Sequence, residues 1–266
     1  MNDLHHPSPF GDAVQNELQF FAGNDRSGQT PATVGQRIGA IDWNIAGKKL
    51  AQHGHVLLPS MLSVAECEDI AAMYAHRDTF RSRVVMARHG YGRGEYQYFA
   101  YPLPPLIADL RTALYEALVP VANRWHDAMR IATRFPERHA GFLARCHAAG
   151  QLRPTPLLLR YGADDYNCLH QDVYGELVFP IQAVILLSAP GRDFCGGEFV
   201  VTSQCAGAPA TAEVVPLQQG DAALFAVRQR PLPGRYRMRK VQSRHGVSQI
   251  LWGQRHTLGL IFHDAL

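Results

Sequence analysis

His170 and Asp172 stand two residues apart in the run "YNCLHQDVYGELVFP". In an extended strand, residues i and i+2 project from the same face, so an imidazole and a carboxylate at this spacing can grip one ion from one side. The pair alone is a weak signal, because His-x-Asp occurs by chance in many chains of this size. A further donor comes 75 residues after the first, His245 in "SRHGVSQI". Two histidines and a carboxylate on different strands make the facial arrangement of non-haem Fe(II) oxygenases, which leaves coordination positions open. The same donor set also holds zinc in hydrolases. Arg255 follows His245 by ten residues, after a turn at Trp252 and Gly253. Its guanidinium can form a bidentate pair with a carboxylate. A dicarboxylate that chelates iron with one end and meets Arg255 with the other would leave one position for dioxygen, and a hydrolytic zinc site has no need of that anchor.

The elements that must position these residues differ sharply between the two halves of the chain. Up to Gly150 the signals are helical. "DWNIAGKKLAQHG" reads as a short helix stopped at Gly54, and "HVLLP" as a strand. "SVAECEDIAAMYAHR" opens with Ser63 and Glu66 at capping-box spacing, ahead of apolar residues at helical intervals. An amphipathic helix is predicted over 106–129, kinked or interrupted at Pro120, and another from Pro136 to Gly150. Between the Ser63 helix and the one from 106, "FRSRVVMARHGYGRGEYQYFAYPLPP" reads as an extended, Gly-punctuated hairpin or loop. It lacks the Lys-Ser/Thr ending of a phosphate loop. After Gly150 come short apolar runs such as "TPLLLRY", "PIQAVILLS", "GEFVV", "AALFAV" and "HTLGLIFH", divided by Gly, Pro and Asp turns, the pattern of an all-β sandwich or barrel. The expected fold class is therefore mainly β with N-terminal helices (α+β). No linker separates the halves, so residues 39–266 read as one domain, with 39–150 as helical buttress and substrate-side segments and 151–266 as β core. Residues 1–38 read as an irregular N-terminal arm.

Composition sets outer limits. With 266 residues and 47% apolar content, the chain can bury a sizeable core. No charged segment followed by an apolar stretch opens it, and no run of 18 apolar residues occurs, so a membrane span is not expected and the default location is cytoplasmic. The five cysteines include no CxxC pair and read as reduced thiols. The net charge of +3 is mild but unevenly spread: from Ala222 to His263 there is no Asp or Glu, while eight Arg and Lys, from Arg228 to Arg255, fall in the window. That block suits an anionic partner such as nucleic acid, or a solvated basic loop balanced in space by acids from elsewhere.

The order and spacing of Tyr161-Gly162, "HQD", "FCGGEFVV", "PLQQGDAALF" and "SRHGVSQILWGQRHTLGLIFH" resemble the prolyl 4-hydroxylase type of 2-oxoglutarate and Fe(II)-dependent dioxygenases, over roughly residues 155–264. The resemblance implies a double-stranded β-helix (jelly roll) core, iron held by His170, Asp172 and His245, and 2-oxoglutarate paired through its distal carboxylate with Arg255, where the family often has lysine. It implies Tyr161 as a second contact to that carboxylate. Related halogenases replace the carboxylate ligand with a small residue. Asp172 is retained here, so oxygenation is implied, with O2 and 2-oxoglutarate consumed and succinate and CO2 released. A bacterial subgroup that the chain also resembles, through "RFPERH" and "LHQDVYGELVFP", is associated with oxidative repair of alkylated DNA.

The substrate is less legible. Asn167 and the Arg/Tyr-rich segment 81–98 are candidate contacts, with Arg88, Tyr91 and Arg93 foremost, since interleaved cations and aromatics can track phosphates and stack a base. The same segment also reads as a surface hairpin whose aromatics pack on the sheet. Hydroxylation of a prolyl or other amino-acid side chain competes with demethylation of alkylated nucleobases. Outside the class stand a non-catalytic β-helix module that binds metal or a small acid, and a zinc hydrolase. His53 and His55 lack a neighbouring carboxylate, Gly196, Gly197 and Asp221 read as turn residues, and Glu198 beside them reads as structural.

Overall fold

The computed structural model describes residues 32–234 and 238–266. Most of the expected N-terminal arm, residues 1–31, lies outside the described residues, as do Arg235 and Arg237 of the basic block. The expected arm boundary at 38 falls inside a short helix, α1 (Val34–Gly39), whose start is set by a capping box between Thr33 and Gln36. Thr33–Leu266 forms one compact unit.

Helix α2 (Trp43–His53) begins where Asp42 accepts from the backbone N–H groups of Asn44 and Ile45, and ends at Gly54, whose φ of +83° is the left-handed cap conformation. Strand β1 (His55–Leu58) follows, and then α3 (Val64–Ala72), opened by the predicted Ser63/Glu66 capping box. The predicted hairpin is formed by β2 (Phe80–Val85) and β4 (Glu95–Phe99), with the two-residue β3 (Gly92–Arg93) between them.

Two helix expectations are corrected. Helix α4 (Pro105–Ala128) runs uninterrupted for 24 residues through Pro120. Pro120 is exposed, so the Glu116 carbonyl that loses its donor there lies on the solvent side. Helix α5 (His139–Ala148) starts at His139, not at Pro136. The backbone before it is held open by α4 side chains: Asn123 bonds both the N–H and the C=O of Phe135, and Tyr115 Oη donates to Pro136 O. Those bonds occupy groups that a helix starting at Pro136 would have used.

The second half is built of β5 (Leu157–Tyr161), β6 (Tyr166–His170), β7 (Ile181–Leu186), β8 (Phe194–Gly196), β9 (Phe199–Cys205), β10 (Thr211–Val215), β11 (Ala222–Ala226), β12 (Gln229–Pro233), β13 (Met238–Val247), β14 (Ile250–Gly253) and β15 (Arg255–Leu260). The major sheet has the order β1-β11-β7-β15-β5-β4-β2, and the minor sheet β10-β9-β13-β6-β3, with β12 beside β13. Strands β14 and β8 form a separate ribbon. Pairing is antiparallel throughout the named strands. This is the jelly-roll arrangement expected for the β core.

Alternation along β7 shows how the layers are held. Ala183 and Ile185 join the cluster under α4 and the other helices, while Val184 and Leu186 join Phe199, Val201, Phe225 and Val247 between the two sheets. With helices on one face and the minor sheet on the other, all six residues of β7 are buried. Helix α4 is also fastened by Arg111, which is 1% exposed. Its Nε donates to Ile261 O at 2.8 Å and its Nη2 to Asp264 Oδ1 at 2.8 Å and His263 O at 3.1 Å.

Candidate metal and cosubstrate site

The sheet registers place the candidate residues opposite one another in pairs. His245 on β13 is the cross-strand partner of His170 on β6, and Arg255 on β15 is the partner of Tyr161 on β5. One pair lies in each sheet, and all four residues line one cavity of about 310 Å³ together with Asp172. Close approach of the ligand strands depends on Gly246, where an added Cβ would sit 2.7 Å from the Asn167 carbonyl oxygen.

One ligand atom from each of His170, Asp172 and His245 can be chosen so that all lie within 4.8 Å of one another. Asp172 Oδ1 is 3.4 Å from His170 Nε2, and its Oδ2 is 3.4 Å from His245 Nε2. His170 Nδ1 is 2.7 Å from Cys168 O. As donor in that bond it turns Nε2 toward the centre. The ring of His245 is set instead by packing, with centroids 4.5 Å from Phe225 and 6.0 Å from Phe199. Burial opposes the charge on Asp172, but hydrogen bonds and charge from the two histidines outweigh it and hold the carboxyl well below its usual range. Burial and the neighbouring His170 lower His245. The result is an ionised carboxylate beside a neutral His245 imidazole; at His170 burial is outweighed by Asp172, which raises its pKa, so a divalent metal must displace that proton to take Nε2 as a donor.

Two residues that sequence reasoning missed complete this centre. Tyr174 Oη donates to Asp172 Oδ1 at 2.8 Å, and Gln182 Nε2 donates to Asp172 Oδ2 at 2.9 Å. They fix both oxygens of the carboxylate. Gln182 carried one available signal, a single amide in the otherwise apolar strand "IQAVIL". Tyr174→Phe and Gln182→Leu are each expected to weaken metal binding by about 10- to 100-fold, as removal of such supporting bonds generally does. An anaerobic Co(II) titration followed by visible absorption measures this directly, and unchanged affinity in both variants would contradict it.

Arg255 is 1% exposed. Its Nε and Nη1 are buried with no hydrogen-bond partner among the described residues, and two ring faces flank it, Tyr161 at 5.7 Å and Phe194 at 5.8 Å from Cζ. Burial pulls its pKa down to about 10, so it stays cationic at neutral pH. Gly197 leaves it room: a Cβ there would lie 3.0 Å from Arg255 Cδ, and the φ of +65° suits the tight turn read from the sequence. Burial pushes Tyr161 up to about 12, so it remains a neutral phenol. Asn167 Nδ2 lies 3.4 Å from Tyr161 Oη as a donor, which leaves the phenol proton free for another acceptor. A buried cation with orphaned donors, beside a free phenol donor, is a receptor for a carboxylate. The donor set and this receptor fit Fe(II) and a chelating oxo-dicarboxylate between them.

Among the substrate candidates, Asn167 and Tyr91 line the cavity, and Tyr91 is 51% exposed at its mouth. Arg88 and Arg93 do not line it; both are exposed, on the turn Met86–His89 and on β3. Arg81 and Arg83 are structural: Arg81 donates to Pro154 O at 2.9 Å with Cζ 4.5 Å over the Tyr98 ring, and Arg83 pairs with Glu95. Within the basic block, Arg230 is buried and donates to Ala51 O at 2.6 Å. His53 and His55 belong to no three-donor cluster; among the described residues the triad is the one such group. Glu198 accepts from Ser248 Oγ, a structural bond as expected, and Asp221 accepts from the N–H groups of Ser60 and Gln218, the turn role expected of it.

A family model, Oxygenase-NA, described as an oxygenase "catalysing oxidative methylation of damaged DNA", matches residues 94–265. An uncharacterized protein of Mycobacterium tuberculosis, found in strains CDC 1551 and H37Rv, is 44% identical over 167 residues, covering 63% of this chain and 72% of the relative. Among solved structures, a Pseudomonas putida prolyl-4-hydroxylase aligns with TM-score 0.50 at 15% identity, over 84% of this chain and 99% of that one. A Trichoplax adhaerens prolyl hydroxylase, in complex with a hypoxia inducible factor peptide, aligns with TM-score 0.50 at 12% identity, over 84% and 89%. At such identities the likeness speaks for the fold alone.

Proposed function

The chain belongs to the Oxygenase-NA family and is an oxygenase of the 2-oxoglutarate/Fe(II) type, and on that premise we propose that it hydroxylates alkyl groups on damaged nucleobases in DNA. The observation that carries the cosubstrate assignment is the unpartnered, buried Arg255 in the cavity that holds the three-donor cluster. His170, Asp172 and His245 would hold Fe(II), and Arg255 and Tyr161 the distal carboxylate of 2-oxoglutarate. When bound, iron with 2-oxoglutarate and O2 supplies an oxidant that places one oxygen atom in a C–H bond, with release of succinate and CO2.

The protein's own groups set up that event. Tyr174 and Gln182 keep the Asp172 carboxylate turned to the metal. Phe199, Phe225, Val184 and Val247 exclude water from the inner cavity, which strengthens the pairing of Arg255 with a carboxylate. Asn167 keeps the Tyr161 hydroxyl aimed as a donor. A hydroxyl placed on an N-methyl carbon yields a hemiaminal, which splits to formaldehyde and the bare base, so oxidation at such a carbon removes the methyl group.

DNA as the substrate is supported by the family description and by the surface. Arg88, Arg93, Arg239, Lys240 and Arg244 are exposed and pair with no acid among the described residues, and Tyr91 and Tyr166 expose 51% and 38% of their surface. Prolyl hydroxylation, by contrast, rests on the fold alone. No described helix is long and apolar enough to cross a membrane. A cytoplasmic location accords with five free cysteines.

The test is stoichiometric. The Fe(II)-loaded protein, given 2-oxoglutarate, O2 and an N-methylated oligonucleotide, is expected to form succinate and formaldehyde in equal amounts, with His170→Ala inactive. Binding of the oligonucleotide should weaken linearly with log salt, and Arg239→Ala should lower that slope by about 0.7, the share of one single-strand phosphate contact. Succinate formed with peptides and never with oligonucleotides would overturn the DNA assignment and leave the oxygenase standing.

A further inference from the structure

A second cavity, of about 350 Å³, opens beside the first. Three separate segments build it: the C-terminal end of α4 with the residues after it, the stretch that follows Asp172, and the entry to β12. Its walls are largely apolar, with Met129, Phe135, Leu177 and Pro180 among them. Val173 lines both cavities and is 41% exposed, so the two meet across that side chain.

Polar groups stand at defined places in this second space. His126 lines it with one ring nitrogen taken, since Nδ1 lies 2.9 Å from Thr133 O. The other nitrogen is left for a ligand. Arg228, also in the lining, is exposed and makes no ion pair among the described residues. Its backbone is fixed to the metal loop: Ser243 N donates to Arg228 O at 2.8 Å, and Gln171 Nε2, between the two ligands, donates to Ser243 O at 2.7 Å. From Arg228 the chain enters the β12–β13 pair, which exposes Arg239, Lys240 and Arg244. Glu176 is the single acidic lining residue and is exposed; its carboxylate can accept from a base amino group.

An apolar slot with a ring nitrogen inside, a cation in its lining and more cations beyond suits a flat heteroaromatic group that carries a phosphate. A substrate consisting of one modified base would fill the first cavity and leave this one unused. We propose that the second cavity is a subsite for the nucleotide next to the one being oxidised, so that the substrate is a nucleic-acid strand and not a free nucleotide. The proposal rests on the nucleic-acid reading above. Val173 then lies between neighbouring bases, and Arg228 meets a phosphate of the same strand.

The experiment compares kcat/KM for an N-methylated nucleotide alone and within a trinucleotide, using the Fe(II)-loaded enzyme. A stacked neighbour is worth about 1–3 kcal/mol, so the trinucleotide should be favoured roughly 5- to 150-fold. Thr133→Trp, at an exposed position of the lining, and Val178→Trp, from the wall, both fill the second cavity. Each folded variant should cut that ratio by the stacking contribution, roughly 5- to 150-fold, leaving what the phosphate contact at Arg228 supplies. Equal kcat/KM for the two substrates in the unmodified enzyme would overturn the subsite and spare the nucleic-acid reading, as would an advantage that is undiminished in Thr133→Trp. Oxidation of a peptide with no oxidation of either nucleotide substrate would overturn the reading itself.

Discussion

Asp172→Ala is expected to abolish succinate formation and to weaken divalent-metal binding by at least about a thousandfold, or ~4 kcal/mol at 1.4 kcal/mol per decade. The reason lies in the charges. His170 and His245 are the other donors, and His245 is lowered by burial, so the carboxylate is the anion of the set. Two imidazoles alone would have to hold a dication in a buried cavity, where an uncompensated charge is costly. Tyr174 and Gln182 would lose their acceptor at the same time, leaving donors beside the ion where an acceptor is needed. Isothermal titration with Co(II), beside a succinate assay, measures both effects. Retention of metal affinity within tenfold would show that the three residues do not act as one site.

Replacing Arg255 by methionine should move function and stability in opposite directions. Truncating one partner of a buried charge pair costs about 2–5 kcal/mol, so KM for 2-oxoglutarate should rise roughly 30- to 5,000-fold. Arg255→Lys, which keeps the charge but not the fork, should fall between. Without a cosubstrate, however, the guanidinium is a buried cation with two orphaned nitrogens. Exchanging such a charge for an apolar side chain of similar length often stabilises by about 1–4 kcal/mol. The methionine variant should therefore melt several degrees higher than the unmodified protein, while the rise in Tm that 2-oxoglutarate and metal together give the unmodified protein should shrink. Differential scanning fluorimetry with and without 2-oxoglutarate reads both signs. A variant that melts lower and still binds 2-oxoglutarate would refute the anchor.

The parts of the site that were legible in the sequence are those where geometry is local. His170 and Asp172 share a short segment, and Arg255 follows His245 by ten residues across the short strand β14, so spacing along the chain reports position in space. Caps were legible for the same reason, as at Ser63 and Glu66. Tyr174 and Gln182 were not, although both lie within ten residues of Asp172. Their meaning depends on how the loop after Asp172 folds back onto β7, and a tyrosine or glutamine is unremarked until its partner is known. The second cavity was less accessible still, since its three segments span residues 126 to 229. Arg88 and Arg93 show the opposite case: an attractive run of cations and aromatics placed Tyr91 and Tyr96 in the cavity lining and none of its arginines. Pro136 was a sound helix-start signal that lost to tertiary bonds from Asn123 and Tyr115.

The fastening of α4 by Arg111 bears on how the protein is made. Arg111 emerges from the ribosome about 150 residues ahead of Ile261 and Asp264, its partners. At about 5–20 residues per second, that delay is roughly 8–30 s. During it the helix carries a guanidinium destined for burial with none of its C-terminal partners yet made, and Tyr115 lacks the Phe262 ring that lies 6.3 Å away in the finished fold. The nascent chain must therefore wait with that guanidinium unpaired. Arg255 opens the same late segment, so on its proposed role no partly synthesised chain can hold the cosubstrate: the enzyme acquires its fastening and its chemistry in the same few seconds.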